Sequence, residues 1–174
     1  MLILLLCGST NEIRKKVANY ICNNFDFKKY TYDKSLIEIV SKKWNMYNDN
    51  FYYPKLNQVN NCDSQKRTNK EILIEECETI LEEDETIFLK SICEKILEEN
   101  IKKVIITNFS YSYELSLLKN TFPKSIIIPI QIKDLKEYEL FSKDYFIIKN
   151  DKNINDNIEL FMNYIDNELK NIYI

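Results

Sequence analysis

Five residues near the start of the chain have the types and spacing needed to bind a phosphate group. The stretch LLLCGSTNEIRKKVANYI contains the only glycine of the sequence, followed by two hydroxyl residues and two cations: Gly8, Ser9, Thr10, Arg14 and Lys15. Backbone N–H groups of a glycine turn can surround phosphate oxygens, and a cationic side chain can bind the same group. An ordinary strand-to-helix turn with a surface arginine is the alternative interpretation of these residues.

The elements around this turn are a predicted buried strand and a predicted helix. LILLLC (2–7) is a continuous apolar run, typical of a strand covered on both faces in a parallel sheet. Residues 11–24 place apolar side chains at helical spacing. Three more strands are predicted at 103–107, 125–132 and 144–150, and Pro129 puts the middle one of these near an edge or at a bulge.

Helical spacing recurs in five later segments, which are 32–47, 69–83, 85–100, 112–120 and 154–172. Asp33 is the predicted N-cap of the first of these, and Asn155 or Asp156 that of the last. Residues 48–67 are polar and aromatic without a sustained period, which predicts a long, mobile loop. We expect one domain over residues 1–174.

Strands separated by helices predict an α/β fold with three layers, α/β/α, around a mostly parallel sheet. In such sheets ligands bind beyond the carboxyl ends of the strands. Gly8, the Asn108–Ser110 stretch and the Gln131–Lys133 stretch should therefore line one edge of the sheet.

Composition excludes several classes of function. The 174 residues contain no His, so an imidazole cannot act as base, nucleophile partner or metal ligand. A net charge of −3 argues against binding of duplex nucleic acid. No apolar run approaches the ~20 residues of a membrane span. Five cysteines without a C-x-x-C pair predict reduced thiols. We expect the protein to be located in the cytosol of a cell, including that of an infected host cell.

Several stretches resemble, in order, the viral and bacterial deoxynucleoside monophosphate kinases, a family of P-loop nucleotide kinases. The turn stretch looks like the family's strand, G-x-x-x-x-G-K loop and helix, and KKYTYDKSLIEIVSKKW looks like its nucleoside-side helix. KRTNKEILIEEC is similar to the T-P-R-x-L-L-Q element. KVIITNFSYSYELSLLK looks like the strand that ends in D-x-R-F-x-x-E, and DYFIIKNDKNINDNIELF like the D-x-x-I-x-N-D turn.

The resemblance implies a P-loop nucleotide-kinase fold and ATP-dependent phosphorylation of a deoxynucleoside monophosphate (dNMP) to the diphosphate. It implies that Arg14 is catalytic and that nine residues bind nucleotide: Gly8, Ser9, Thr10, Arg14, Lys15, Thr68, Lys70, Asn108 and Ser110. Gly8, Arg14 and Lys15 would hold the donor phosphates of ATP. The residues that would face the acceptor are Thr68, Lys70, Asn108 and Ser110. Thr68 and Lys70 fit equally well as the capped start of a helix.

The turn departs from the family pattern at two key positions. Ile13 stands where the second glycine belongs, and Arg14 stands where the lysine belongs. A β-branched residue in a left-handed conformation costs about 1–2 kcal/mol, so we expect a turn of another shape. Arg14 can still bind phosphate with two donors. Lys15 and Lys16 replace the usual hydroxyl or acidic residues, which disfavours Mg²⁺ there.

The residues on the acceptor side also depart from the family pattern, by the loss of charged side chains. Asn108 replaces the family's Asp and Ser110 its Arg, while Glu114 is retained and is predicted to be a surface acid. Phosphoryl transfer depends on such charges, so losing several opposes efficient catalysis. The alternative function is therefore a catalytically silent descendant that binds a protein partner, including a second copy, or serves as a structural component.

Overall fold

A computed structural model describes residues 1–52, 55–61, 63–109, 112–133 and 146–172. The strands are β1 (Leu2–Cys7), β2 (Lys28–Thr31), β3 (Lys103–Thr107), β4 (Ile126–Lys133) and β5 (Phe146–Lys149). The helices are α1 (Asn11–Phe25), α2 (Tyr32–Lys43), α3 (Asn69–Glu83), α4 (Ile87–Glu99), α5 (Ser112–Thr121) and α6 (Ile154–Ile172). Two 3-10 helices, Asn48–Phe51 and Lys55–Asn57, lie between α2 and α3. None of the helices in these ranges is long and apolar enough to cross a membrane.

The strands form one sheet in the order β2-β3-β1-β4-β5. β1 pairs in parallel with β3 and with β4, and β4 pairs in parallel with β5. The predicted α/β fold with a parallel sheet is confirmed. Parallel pairing brings the carboxyl ends of β1, β3 and β4 to one edge, where Leu6 lies opposite Thr107 and Cys7 opposite Gln131.

Both faces of β1 are buried, as its uninterrupted apolar sequence predicts. Leu2, Leu4 and Leu6 on one face and Ile3 and Leu5 on the other are all buried. The face that carries the leucines at even positions packs against α1 and α6 in one apolar cluster. Each buried leucine or isoleucine contributes about 1.5–3 kcal/mol, so β1 is held firmly in the core and fixes the position at which the following turn begins.

The chain divides into two compact units, Met1–Tyr30 with Glu99–Ile174, and Thr31–Glu98. The second unit has an apolar cluster of its own, built on Ile37, Val40, Phe51 and Ile72. Residues 48–67, predicted as a loop, contain the two 3-10 helices, and Val59 in this range forms an antiparallel bridge with Thr68, the residue that follows it. The single domain and the mobility of this segment stay predictions.

Three local predictions are wrong. β2 was not predicted, because four residues are too few to show a periodic pattern. The side chain of Thr31, and not that of Asp33, caps α2 by accepting a hydrogen bond from the Lys34 N–H at 3.3 Å. α6 begins at Ile154, so Asn155 and Asp156 lie within its first turn and do not cap it.

Pro129 lies in an inner strand and not at the edge of the sheet. It stands opposite Leu5 of β1, with β5 on the far side of β4. The pairing of β4 with β5 begins only at Ile130. Among the described residues Pro129 therefore has a β partner on one side only, which explains how the strand accommodates a residue without an N–H.

Candidate functional site

The turn between β1 and α1 contains only Gly8, Ser9 and Thr10. Gly8 and Ser9 both have left-handed backbones, with φ of +73° and +49°. Thr10 is the N-cap of α1, and its side chain accepts from the Ile13 N–H at 3.4 Å. Ile13 thus lies in the first helical turn, and the expectation of a differently shaped loop is confirmed. Because α1 begins early, the turn is shorter than the six-residue loop of the motif.

Gly8 is required by packing as well as by its backbone angle. A Cβ atom at this position would lie 2.6 Å from the Ile132 carbonyl oxygen and 3.1 Å from Gln131 Cγ, both in β4. Contacts that short do not occur with backbone atoms unless the strand moves. The only glycine of the chain therefore serves the contact between the turn and β4, whether or not a phosphate binds.

Arg14 folds back onto its own turn. Its Nη1 donates to the carbonyl oxygens of Gly8 at 2.8 Å and of Ser9 at 2.7 Å. Its Nε and Nη2 donate to Asn108 Oδ1 at 3.4 and 3.3 Å. These contacts engage four of the five N–H bonds of a guanidinium group. Arg14 therefore joins the turn to the end of β3.

Asn108 follows β3 directly and has a left-handed backbone, with φ of +71°. Asparagine tolerates this conformation better than most residues. The structure thus brings together Gly8, Ser9, Arg14 and Asn108, four residues that the sequence placed in the site. Ser110, the remaining candidate on this side, lies outside the described residues.

Two hydroxyl oxygens near the turn, Ser9 Oγ and Thr107 Oγ1, are buried and have no hydrogen-bond partner in the described part of the chain. Thr107 is fully buried. Its register opposite Leu6 places it on the sheet face that packs against α1. A buried polar group without a partner costs about 1–3 kcal/mol, so a polar ligand reaching these oxygens would recover free energy.

The electrostatic environment at the end of β1 is positive. Burial raises the pKa of the Cys7 thiol, while the nearby cations Arg14 and Lys133 act to lower that pKa. Cys7 also donates to the Ile130 carbonyl oxygen at 3.4 Å. Cys7, Cys22, Cys77 and Cys93 are free thiols, as predicted, although only Cys93 is fully buried.

Thr68 and Lys70 lie in the second compact unit, at the start of α3. Thr68 caps the helix: its side chain accepts from the Glu71 N–H at 3.2 Å, and the Glu71 carboxylate accepts from the Thr68 N–H at 2.7 Å. The hydrogen bonds from Thr68 hold the pKa of the Glu71 carboxyl below its usual range. The capped-helix interpretation of Thr68 is therefore observed, and its hydroxyl is committed to Glu71.

Glu114 is buried, with 2% of its surface exposed, so the prediction of a surface acid is wrong. It lies in the first turn of α5, where the partial positive charge of the helix N-terminus favours a carboxylate. Sequence alone does not distinguish this position from a solvated one, because the neighbouring residues of α5 are mixed in polarity.

The sequence patterns did not single out Arg67, which contacts several residues within the second unit. Its Nε and Nη2 donate to the two carboxylate oxygens of Asp63 at 2.9 and 3.0 Å, and its guanidinium lies 5.4 Å from the centroid of the Trp44 ring. Trp44 Nε1 donates to Glu76 at 2.8 Å. The Asp-x-x-x-Arg spacing was the available signal. These contacts serve the unit's own structure.

No family model matches the sequence, and no curated protein is significantly similar to it. One similar solved structure is the dephospho-CoA kinase from Campylobacter jejuni, with a TM-score of 0.53 and 18% sequence identity. The match covers 95% of this chain and 98% of that chain. This chain has a P-loop kinase fold. At this low identity the similarity shows the fold alone.

Proposed function

We propose that the protein binds a nucleotide through its phosphates at the β1–α1 turn and does not transfer phosphate efficiently. The observation that carries this proposal is the arrangement of Arg14. The cation that the resemblance assigns to the transferring phosphate is bound to Gly8, Ser9 and Asn108 instead. One arginine directed at the transferring group is worth ~10³–10⁵ in rate, so its diversion removes much of the catalysis.

The binding half of the proposal is supported by the fold and by the chemistry around the turn. The turn ends β1 at the sheet edge where ligands of α/β proteins bind. The first N–H groups of α1, at Asn11 and Glu12, lack acceptors within the helix. The turn also contains the buried Ser9 hydroxyl, and the cations Arg14 and Lys133 lie close enough to Cys7, the residue before the turn, to act on its pKa. This donor set suits the oxygens of a nucleotide such as ATP.

The donor set does not fit Mg²⁺. Lys15 and Lys16 follow Arg14 on exposed positions of α1, where they would repel a cation. No step of this proposal runs through a metal ion.

Thermal-shift titration with ATP, ADP and each dNMP tests binding, since a ligand at 100 times its Kd stabilises the folded state by about 2.7 kcal/mol. Lys15→Ala should weaken the shift. Lys124→Ala is the matched control, because it removes the same charge from an exposed position before β4, at the opposite edge of the sheet. The absence of a shift with every nucleotide would contradict binding and leave protein interaction as the function.

A coupled-enzyme assay of ATP turnover with each dNMP tests the loss of transfer. The second candidate function is ATP-dependent dNMP phosphorylation, favoured by the contact that holds Arg14 beside Asn108 at the predicted acceptor edge. In that function Arg14 would move from the turn carbonyls to the donor phosphate, and Asn108 would face the acceptor. Turnover that Arg14→Ala abolishes would support it, and absence of turnover at high enzyme concentration would support the first proposal.

A further inference from the structure

The Arg14 guanidinium is held by two sets of contacts of unequal quality. Its Nη1 donates to the carbonyl oxygens of Gly8 and Ser9 at 2.8 and 2.7 Å, within the usual range of N–H···O hydrogen bonds. Its Nε and Nη2 both donate to a single oxygen, Asn108 Oδ1, at 3.4 and 3.3 Å, which is longer than that range. The contact with Asn108 is therefore the weaker of the two.

The edge of Arg14 that carries Nε and Nη2 has the geometry that suits a phosphate group. Its two N–H bonds are parallel, so each can donate to a separate oxygen of the same oxyanion. The neutral amide oxygen of Asn108 has to accept both N–H bonds at once. Hydrogen bonds to an ionised acceptor are shorter, at about 2.7–2.9 Å, and roughly twice as strong. A phosphate therefore satisfies this edge better than Asn108 does.

The contact between Arg14 and Asn108 lies where a ligand can reach it. Both residues are half-buried, so neither is closed off from solvent. Asn108 directly follows β3, at the carboxyl edge of the sheet where ligands of α/β proteins bind. A phosphate that takes the place of the Asn108 oxygen leaves the two short contacts of Nη1 with the turn unbroken. The guanidinium is thus already positioned to receive the ligand.

We infer that Asn108 sets the affinity of the site for phosphate, an inference that rests on the proposed nucleotide binding. Its amide oxygen occupies the Nε and Nη2 edge of Arg14 in the free protein and competes with the ligand for it. A phosphate of the nucleotide displaces this oxygen, while Nη1 stays on Gly8 and Ser9. Because the anchored guanidinium cannot follow a phosphate toward an acceptor, this arrangement favours binding over transfer.

Calorimetric titration with ATP tests the role of Asn108. Asn108→Gly removes the competing oxygen and keeps the left-handed backbone, φ +71°, which glycine adopts readily. The variant should bind ATP about tenfold more tightly than wild type, because binding no longer breaks the two hydrogen bonds from Arg14. Asn100→Gly is the matched control: Asn100 also has a left-handed backbone, with φ of +49°, but precedes β3 at the opposite edge of the sheet. It should leave the Kd unchanged.

The same substitution without Arg14 shows whether the gain passes through the guanidinium. Arg14→Ala should bind ATP more weakly than wild type, and adding Asn108→Gly to it should leave its Kd unchanged, because no guanidinium is left to release. All titrations are made below the melting temperature of the least stable variant. If wild type binds ATP but Asn108→Gly gains nothing, or gains equally without Arg14, the inference is wrong and the proposed nucleotide binding stands. If neither wild type nor Asn108→Gly binds ATP, both are wrong.

Discussion

Replacing Gly8 by alanine should destabilise the fold by about 2–5 kcal/mol. The left-handed backbone of Gly8, with φ of +73°, contributes about 1–2 kcal/mol of this loss. The new Cβ would lie 2.6 Å from the Ile132 carbonyl oxygen, and relieving that contact requires β4 to move. Inserting an atom into a well-packed site costs about 1–3 kcal/mol more.

Urea unfolding followed by circular dichroism measures this loss as a lower transition midpoint at an unchanged m-value. Ser9→Ala is the matched control, because Ser9 also has a left-handed backbone, with φ of +49°, but already carries a Cβ atom. We expect the free energy of unfolding of Ser9→Ala not to fall below that of wild type, because the alanine removes the buried hydroxyl that has no partner in the described part of the chain.

The outcome separates structure from ligand binding. If Gly8→Ala were as stable as wild type, the close approach of the turn to β4 at Ile132 would be wrong. If its stability were unchanged while the thermal shift with nucleotide disappeared, the glycine would serve the approach of phosphate and not the packing of the fold.

Three further predictions concern caps, charges and the arginine contact. Thr68→Ala should lower the free energy of unfolding by about 1 kcal/mol, while Thr68→Ser, which keeps the capping hydroxyl, should not; equal losses would refute the cap. Arg67 holds the pKa of Asp63 well below its usual range. The ionised Asp63 therefore stabilises the fold fully above the unfolded pKa of about 3.9, and this stabilisation is lost as the pH falls from there through the lowered pKa. The melting temperatures of wild type and Asp63→Asn should accordingly start to converge below about pH 4. A difference in melting temperature between the two proteins that does not change with pH would contradict this prediction. Arg14→Ala and Asn108→Ala should couple by about 0.5–3 kcal/mol in a double-mutant cycle of unfolding, whereas additive effects would contradict their contact.

Most elements of the fold were predictable because their signals are local. The apolar run at 2–7, the strand at 103–107 and the helices at 69–83 and 154–172 have the observed bounds. Burial of a whole strand leaves an uninterrupted apolar run, and burial of one helix face leaves a 3.6-residue period. β2 has neither signal, and its place in the sheet depends on its neighbours.

The sequence by itself determined the α/β class and the meeting of the β1–α1 turn with Asn108, since parallel strands share an edge. It did not determine what the site residues do there. The acceptors of Arg14 include Asn108, which is 94 positions away, and the atom that requires glycine at position 8 is the carbonyl of Ile132. Hydrogen bonds and steric contacts between distant segments depend on distances of a few tenths of an ångström, and only the packed tertiary structure sets those distances.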